Sequence, residues 1–152
     1  MPAFDSDLRE ASEPLRQANP PPRARVLVVD DEALILRSVS RTLAHHDVLT
    51  VSEAREALQL LGSGESFDVV LCDLMMPDLD GIAFHNELQR TRPDLLERLV
   101  FMTGGACSQE TRDFMDTRRA EQHLEKPFSA EALRRRISDL LERRTSSTPP
   151  EP

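Results

Sequence analysis

The chain has 152 residues and contains no tryptophan and no tyrosine; its aromatic content is six phenylalanines. Intrinsic fluorescence therefore cannot report ligand binding, and calorimetry has to. Positive charge is also scarce. Nineteen Lys and Arg face 27 Asp and Glu, a net charge of −8, which argues against binding nucleic acid or anionic membrane by bulk electrostatics. No apolar run approaches the roughly 20 residues that a bilayer requires. The first residues, "MPAFDSDLREASEP", are acidic and lack the apolar core of a secretory signal. Only two cysteines occur, Cys72 and Cys107, with no metal-ligand spacing. Cys72 lies inside an apolar run and reads as a buried free thiol in a reducing cytoplasm. Neither GxxxxGK[ST] nor GxGxxG follows the first strand, so phosphate cradling by a glycine-rich loop is excluded.

What remains has the length and the apolar and charged fractions (39% and 30%) of one globular domain with tails. Pro14 and the run Pro20, Pro21, Pro22 make residues 1–24 a flexible arm, with one weak helical turn near Leu8 to Leu15. Residues 144–152, ending "TSSTPPEP", have the composition of a disordered tail. The domain is expected over 25–143.

Within it strands and helices alternate. Arg25–Val29 is a β-branched run, and Ala33 to Ala44 puts Leu36, Val39 and Leu43 on one helical face. Val48–Val51 is a short strand. Ser52 is placed to cap a helix whose apolar stripe is Ala54, Ala57, Leu58 and Leu61, ended by Gly62 and Gly64. Phe67–Cys72 is the next strand, with Asp73 at its end and the turn cluster "MPDLDG" beyond. Ile82 to Arg90 is a helix stopped before Pro93. Leu99–Met102 and His123–Glu125 are strands flanking a short helix from Ser108 to about Asp116. Ser129 caps a last helix carrying Leu133, Ile137 and Leu140. Apolar runs this continuous are buried on both faces, so the expectation is a (βα)₅ doubly wound α/β fold with a parallel sheet.

In such a sheet every loop after a strand lies on one edge. That edge would collect Asp30 and Asp31 after the first strand, Asp73 after the third, Thr103 after the fourth and Lys126 after the fifth. Singly, each has an ordinary explanation: a helix cap, a turn residue, a strand-end hydroxyl, a surface lysine. Together they crowd three carboxylates into one place, where each pair at about 5 Å costs roughly 1 kcal/mol in water and several at an effective dielectric near 20. A hard divalent cation with oxygen ligands relieves that repulsion, and Lys126 adds a fixed positive charge. The set suits a tetrahedral anion beside a carboxylate nucleophile.

The segments "VLVVDDE", "VVLCDLMMPDLDGI", "VFMTGGA" and "HLEKPF" resemble the successive signatures of the response-regulator receiver domain of two-component signalling. The resemblance spans about residues 25 to 143. It implies the flavodoxin-like strand order 2-1-3-4-5 and a Mg²⁺-dependent phosphoacceptor (Mn²⁺ as a substitute) supplied by a sensor histidine kinase or a histidine phosphotransfer protein. By motif position the acceptor is Asp73. Asp31 would ligate the metal directly, Asp30 largely through water, and Met75 through its backbone carbonyl. Lys126 and Thr103 would bind phosphoryl oxygens, and the Lys126–Pro127 peptide would be cis. The family's switch aromatic, three residues before the lysine, is here His123, whose charge depends on pH. Gly104-Gly105 after Thr103 leaves the phosphoryl group less shielded, and this pair with "RRAEQHLEKPF" is most similar to receivers that work with hybrid sensor kinases.

Other functions fit less well. An aspartyl phosphohydrolase needs a second acid two residues after the nucleophile, and Met75 stands there. An inactive interaction module would have lost an acid, the acceptor or the lysine, and all are present. From the short stretch after the last helix, no DNA-binding output domain is expected. The expectation is therefore a cytoplasmic, non-enzymatic phosphoacceptor, monomeric or weakly dimeric. It would signal to an unknown protein through the face of the fourth helix, fifth strand and fifth helix, near Arg134, Arg135 and Arg136. The pair His45-His46 beside Asp47 reads as a solvated helix end.

Overall fold

A computed structural model describes residues 23–104, 108–118 and 122–147, the last four as backbone only. Five strands form one sheet in the order β2-β1-β3-β4-β5. They are β1 (Arg25–Val29), β2 (Asp47–Val51), β3 (Val69–Asp73), β4 (Leu99–Gly104) and β5 (His123–Lys126). All four neighbouring pairs are parallel. The crossovers carry α1 (Ala33–Thr42), α2 (Ala54–Gly62), α3 (Gly81–Thr91) and α4 (Gln109–Asp116). The last helix, α5 (Ala130–Ser147), runs four residues into the stretch expected to be a disordered tail.

The two-residue repeat of the strands divides the core. Leu27 and Val29 of β1, Val70 and Cys72 of β3, and Phe101 of β4 face α2, α3 and α4. Val26, Val28, Val69, Leu71, Val100, Met102 and Leu124 face α1 and α5, against Val39, Leu43, Leu133, Ile137 and Leu140. Burial on both faces is why the central strands read as unbroken apolar runs. Cys72 is a buried free thiol, as its surroundings in the chain suggest, and burial pushes its pKa well up. Cys107, Gly105 and the N-terminal turn near Leu8 to Leu15 lie outside the described residues.

Two glycines hold positions that other residues would strain. Gly64, just past α2, has a φ of +99°. Gly81 opens α3 directly against β3: a Cβ there would overlap the Leu74 side chain and lie 2.9 Å from the Leu74 Cα. Its N–H donates to the Leu74 carbonyl at 2.7 Å, closing the base of the loop that follows β3.

Several local expectations change. The β3 strand begins at Val69 and includes Asp73, while β4 and β5 run on to Gly104 and Lys126, because parallel pairing extends the ladders past the apolar residues. Pro93 stops α3 and opens a 3₁₀ turn, Pro93–Arg98. Ser108 and Ser129 do cap their helices, accepting from Thr111 and Ala132. Ser52 does not cap α2. The N-cap position belongs to Glu53, whose side chain makes no capping bond.

Of the histidine pair, His45 is exposed as expected and His46 is not. His46 is buried, and its Nδ1 accepts the Ala24 N–H at 2.9 Å. Ala24 precedes β1, so its N–H has no ladder partner, and the imidazole serves instead. Ala24 is itself buried, so core packing reaches one residue into the segment read as an arm.

Candidate functional site

In register, Val29 of β1 pairs with Cys72 of β3, so Asp30 and Asp73 leave adjacent strands at the same edge. This is where strand order reverses, β2 to one side of β1 and β3 to the other. One carboxylate oxygen from each of Asp30, Asp31 and Asp73 lies within 4.8 Å of the others. Asp30 is fully buried, Asp73 nearly so, and Asp31 is exposed. The cluster thus has a dry floor and a wet mouth.

Lys126 closes it from β5. Its Nζ is 2.7 Å from Asp30 Oδ2, 3.4 Å from Asp73 Oδ2 and 3.1 Å from Glu32 Oε1. Burial alone would lower the lysine pKa. Contact with the Asp30 carboxylate, the charges of Asp73 and Asp30, and the bond to Glu32 outweigh it and hold the pKa at about 12. The Lys126–Pro127 peptide is cis. Gly104 lets β4 come close to the lysine stem, since a Cβ there would sit 3.2 Å from Lys126 Cβ.

Two backbone amides fix the acids. Glu32 N–H donates to Asp30 Oδ1 at 2.9 Å, and Met75 N–H donates to Asp73 Oδ1 at 3.2 Å. Burial pushes the Asp73 pKa upward; the Met75 N–H opposes it, Asp30 reinforces it, and Lys126 opposes it. Asp30 Oδ2 is buried and is met by the Lys126 ammonium at 2.7 Å. Three clustered carboxylates against one ammonium leave an excess of negative charge, and an all-oxygen donor set of that kind fits a hard divalent cation.

Thr103, half-buried at the end of β4, pairs in register with Glu125, and no hydrogen bond joins it to Asp73 among the described residues. His123 sits on β5, paired with Phe101. Its Nε2 is buried and has no hydrogen-bond partner among the described residues. Burial lowers its pKa most; contact with the Met115 backbone opposes this, and Arg136 adds to it. Met75 itself is exposed.

Two residues at this edge were not singled out from sequence. Glu32 reads as a third acid in a run, but shares Lys126. Asp78 looked like a turn residue, yet it crosses a gap: with Asp31, Ser52, Glu53 and Pro77 it lines an open hollow of about 420 Å³. The aspartates, by contrast, were legible because each abruptly ends an apolar strand.

The model of the response regulator receiver domain matches residues 26–138. The chain belongs to the response-regulator receiver family. This receiver is 36% identical over 123 residues to the response regulator MprA of Mycolicibacterium vanbaalenii, a match covering 80% of this chain and 52% of that protein. It is 35% identical over 123 residues to a probable transcriptional regulator, ycf27, of Pyropia yezoensis, covering 80% and 49%. The receiver thus spans about half the length of these curated relatives. A response regulator receiver domain from Clostridium thermocellum superposes with a TM-score of 0.68 at 28% identity, covering 81% of this chain and 98% of that one. Among the described residues no helix is long and apolar enough to cross a membrane.

Proposed function

We propose that this receiver takes a phosphoryl group onto Asp73 from the phosphohistidine of a sensor kinase or histidine phosphotransfer protein, and that it needs Mg²⁺ to do so. The observation that carries the reading is the placement of Asp73. It is buried, contacted by a lysine charge, and within 4.8 Å of two further carboxylates. Asp30, Asp31, Asp73 and the Met75 carbonyl would hold the metal, with Mn²⁺ as a substitute. The metal, when bound, supplies charge neutralisation for the incoming phosphoryl oxygens.

The chain's own groups do the rest. An Asp73 carboxylate oxygen attacks phosphorus. A P–O bond forms as the P–N bond to the donor imidazole breaks, and the imidazole leaves neutral when its other nitrogen carries the proton. Lys126, kept charged by its acidic neighbours, pairs with one phosphoryl oxygen. Thr103 moves toward the product and donates to another. That movement frees space beside His123, and burial favours the neutral imidazole that can enter it. The changed face of α4, β5 and α5 then meets a protein partner. The same pocket admits water for slow self-dephosphorylation, with no turnover of an outside substrate.

Incubation with acetyl phosphate and Mg²⁺, followed promptly by intact mass, tests the reading. One phosphoryl addition is expected in wild type and none in Asp73→Asn or in EDTA. An addition that survives either control refutes it.

A further inference from the structure

The loop between β3 and α3, residues 74–80, carries Met75. It is tied at its base by the Leu74–Gly81 bond and at its end by Asp80, which caps α3 by accepting the Ala83 N–H at 2.9 Å. In between, Asp78 reaches away from both elements. Its Oδ1 accepts the Ala54 N–H at 3.4 Å and its Oδ2 the Arg55 N–H at 3.1 Å, the first two amides of α2. The Arg55 guanidinium returns a bond to the Asp78 carbonyl at 3.4 Å. Helix α2 has no capping side chain of its own, because Glu53 at the cap position makes no such bond. The cap is lent by a residue 23 and 24 positions away, across the hollow that Asp31 also lines.

A cap usually serves its own helix. This one couples two loops of the site. It pins the middle of 74–80 to α2 and so holds Met75 in place relative to the β1 aspartates. We propose that Asp78 is a positioning residue for the metal site: by capping α2 from the β3–α3 loop it orders the Met75 backbone for Mg²⁺. This rests on the reading of Asp30, Asp31 and Asp73 as the Mg²⁺ site. Mg²⁺ demands near-octahedral oxygen geometry, and a ligand that must be ordered on binding weakens the complex.

Calorimetric titration of the full chain with MgCl₂, without phosphodonor, tests it on wild type and three variants. Asp78→Ala removes the acceptor. Asp78→Asn keeps one of the two acceptor oxygens, enough for the shorter bond from the Arg55 N–H, while removing the charge. Glu53→Ala removes a charge from the same hollow without touching a cap. The loss of a cap, expressed in binding, predicts a Kd about three- to tenfold higher for Asp78→Ala. Asp78→Asn, which keeps the shorter capping bond, should bind more tightly than Asp78→Ala, and Glu53→Ala should stay within about twofold of wild type, within the scatter of near-neutral surface changes. An Asp78→Ala Kd equal to wild type, even with a lower melting temperature in EDTA, leaves Asp78 purely structural and overturns the proposal. So does an Asp78→Asn Kd as weak as that of Asp78→Ala, since charge would then be the cause. If Asp78→Ala does not fold, Arg55→Pro replaces it. It deletes the shorter capping bond, together with the guanidinium bond to the Asp78 carbonyl, within the first turn, where proline is tolerated, and an unchanged Kd there is equally fatal. Absence of Mg²⁺ binding by wild type would instead remove the metal-site reading itself, and this proposal with it.

Discussion

Consider replacing Asp73 by Asn in metal-free protein. The carboxylate has two like charges within 4.8 Å and one lysine at 3.4 Å. At an effective dielectric of 20, each repulsion at that separation is about 3.5 kcal/mol and the attraction about 5 kcal/mol. Two repulsions exceed one attraction by about 2 kcal/mol, and screening of exposed Asp31 trims that figure. Burial acts in the same direction, since it raises the Asp73 pKa. The Asn side chain keeps an oxygen for the Met75 N–H. In EDTA at neutral pH, Asp73→Asn should therefore be more stable than wild type by about 1–2 kcal/mol. The melting temperature should rise by about 3–10 °C for a domain of this size.

The sign of the pH dependence follows. A carboxyl with a raised folded pKa contributes most below its unfolded value of 3.8, and that contribution is lost as pH rises through the folded pKa. The advantage of the Asn variant should thus be absent in acid, grow with pH and level off near neutrality. Saturating Mg²⁺ should shrink or reverse it, because the cation stabilises wild type more. Thermal melts of both proteins, in EDTA and in Mg²⁺ across pH 4 to 7.5, measure this. An Asn variant no more stable than wild type in EDTA would refute the charge-crowding argument.

Two further outcomes concern the scaffold. Gly81→Ala should destabilise by about 1–3 kcal/mol despite alanine's better helix propensity, because the new methyl meets the Leu74 backbone; a urea midpoint at or above wild type would contradict the packing. Burial keeps His46, His85 and His123 below the ordinary histidine pKa, so the stability they contribute is present above about 6.5 and is lost as pH falls through their folded values. His46→Gln should flatten part of that acid-side decline in urea titrations, and an unchanged slope would show that His46 is not among the responsible groups.

The sequence by itself determined the layers and the edge. Runs such as Val26–Val29 and Val69–Cys72 leave no polar face, so they demand cover on both sides, and covered strands joined by helices are parallel. Parallel strands send Asp30, Asp31, Asp73, Thr103 and Lys126 to one rim whatever the details of packing. Tertiary structure alone decided which partners those residues meet. That Lys126 shares three acids, that Gly104 stands against its stem, and that Asp78 caps a helix begun 24 residues earlier depend on distances between segments remote in the chain. His46 shows the same limit from the other side. Nothing in "AHHDV" says that an imidazole will accept a hydrogen bond from Ala24, because the unpaired N–H that needs it lies 22 residues away and is exposed as a need only when β1 pairs with β2. Local pattern records what a residue must hide; what it must bind is set by the chain that folding brings to it.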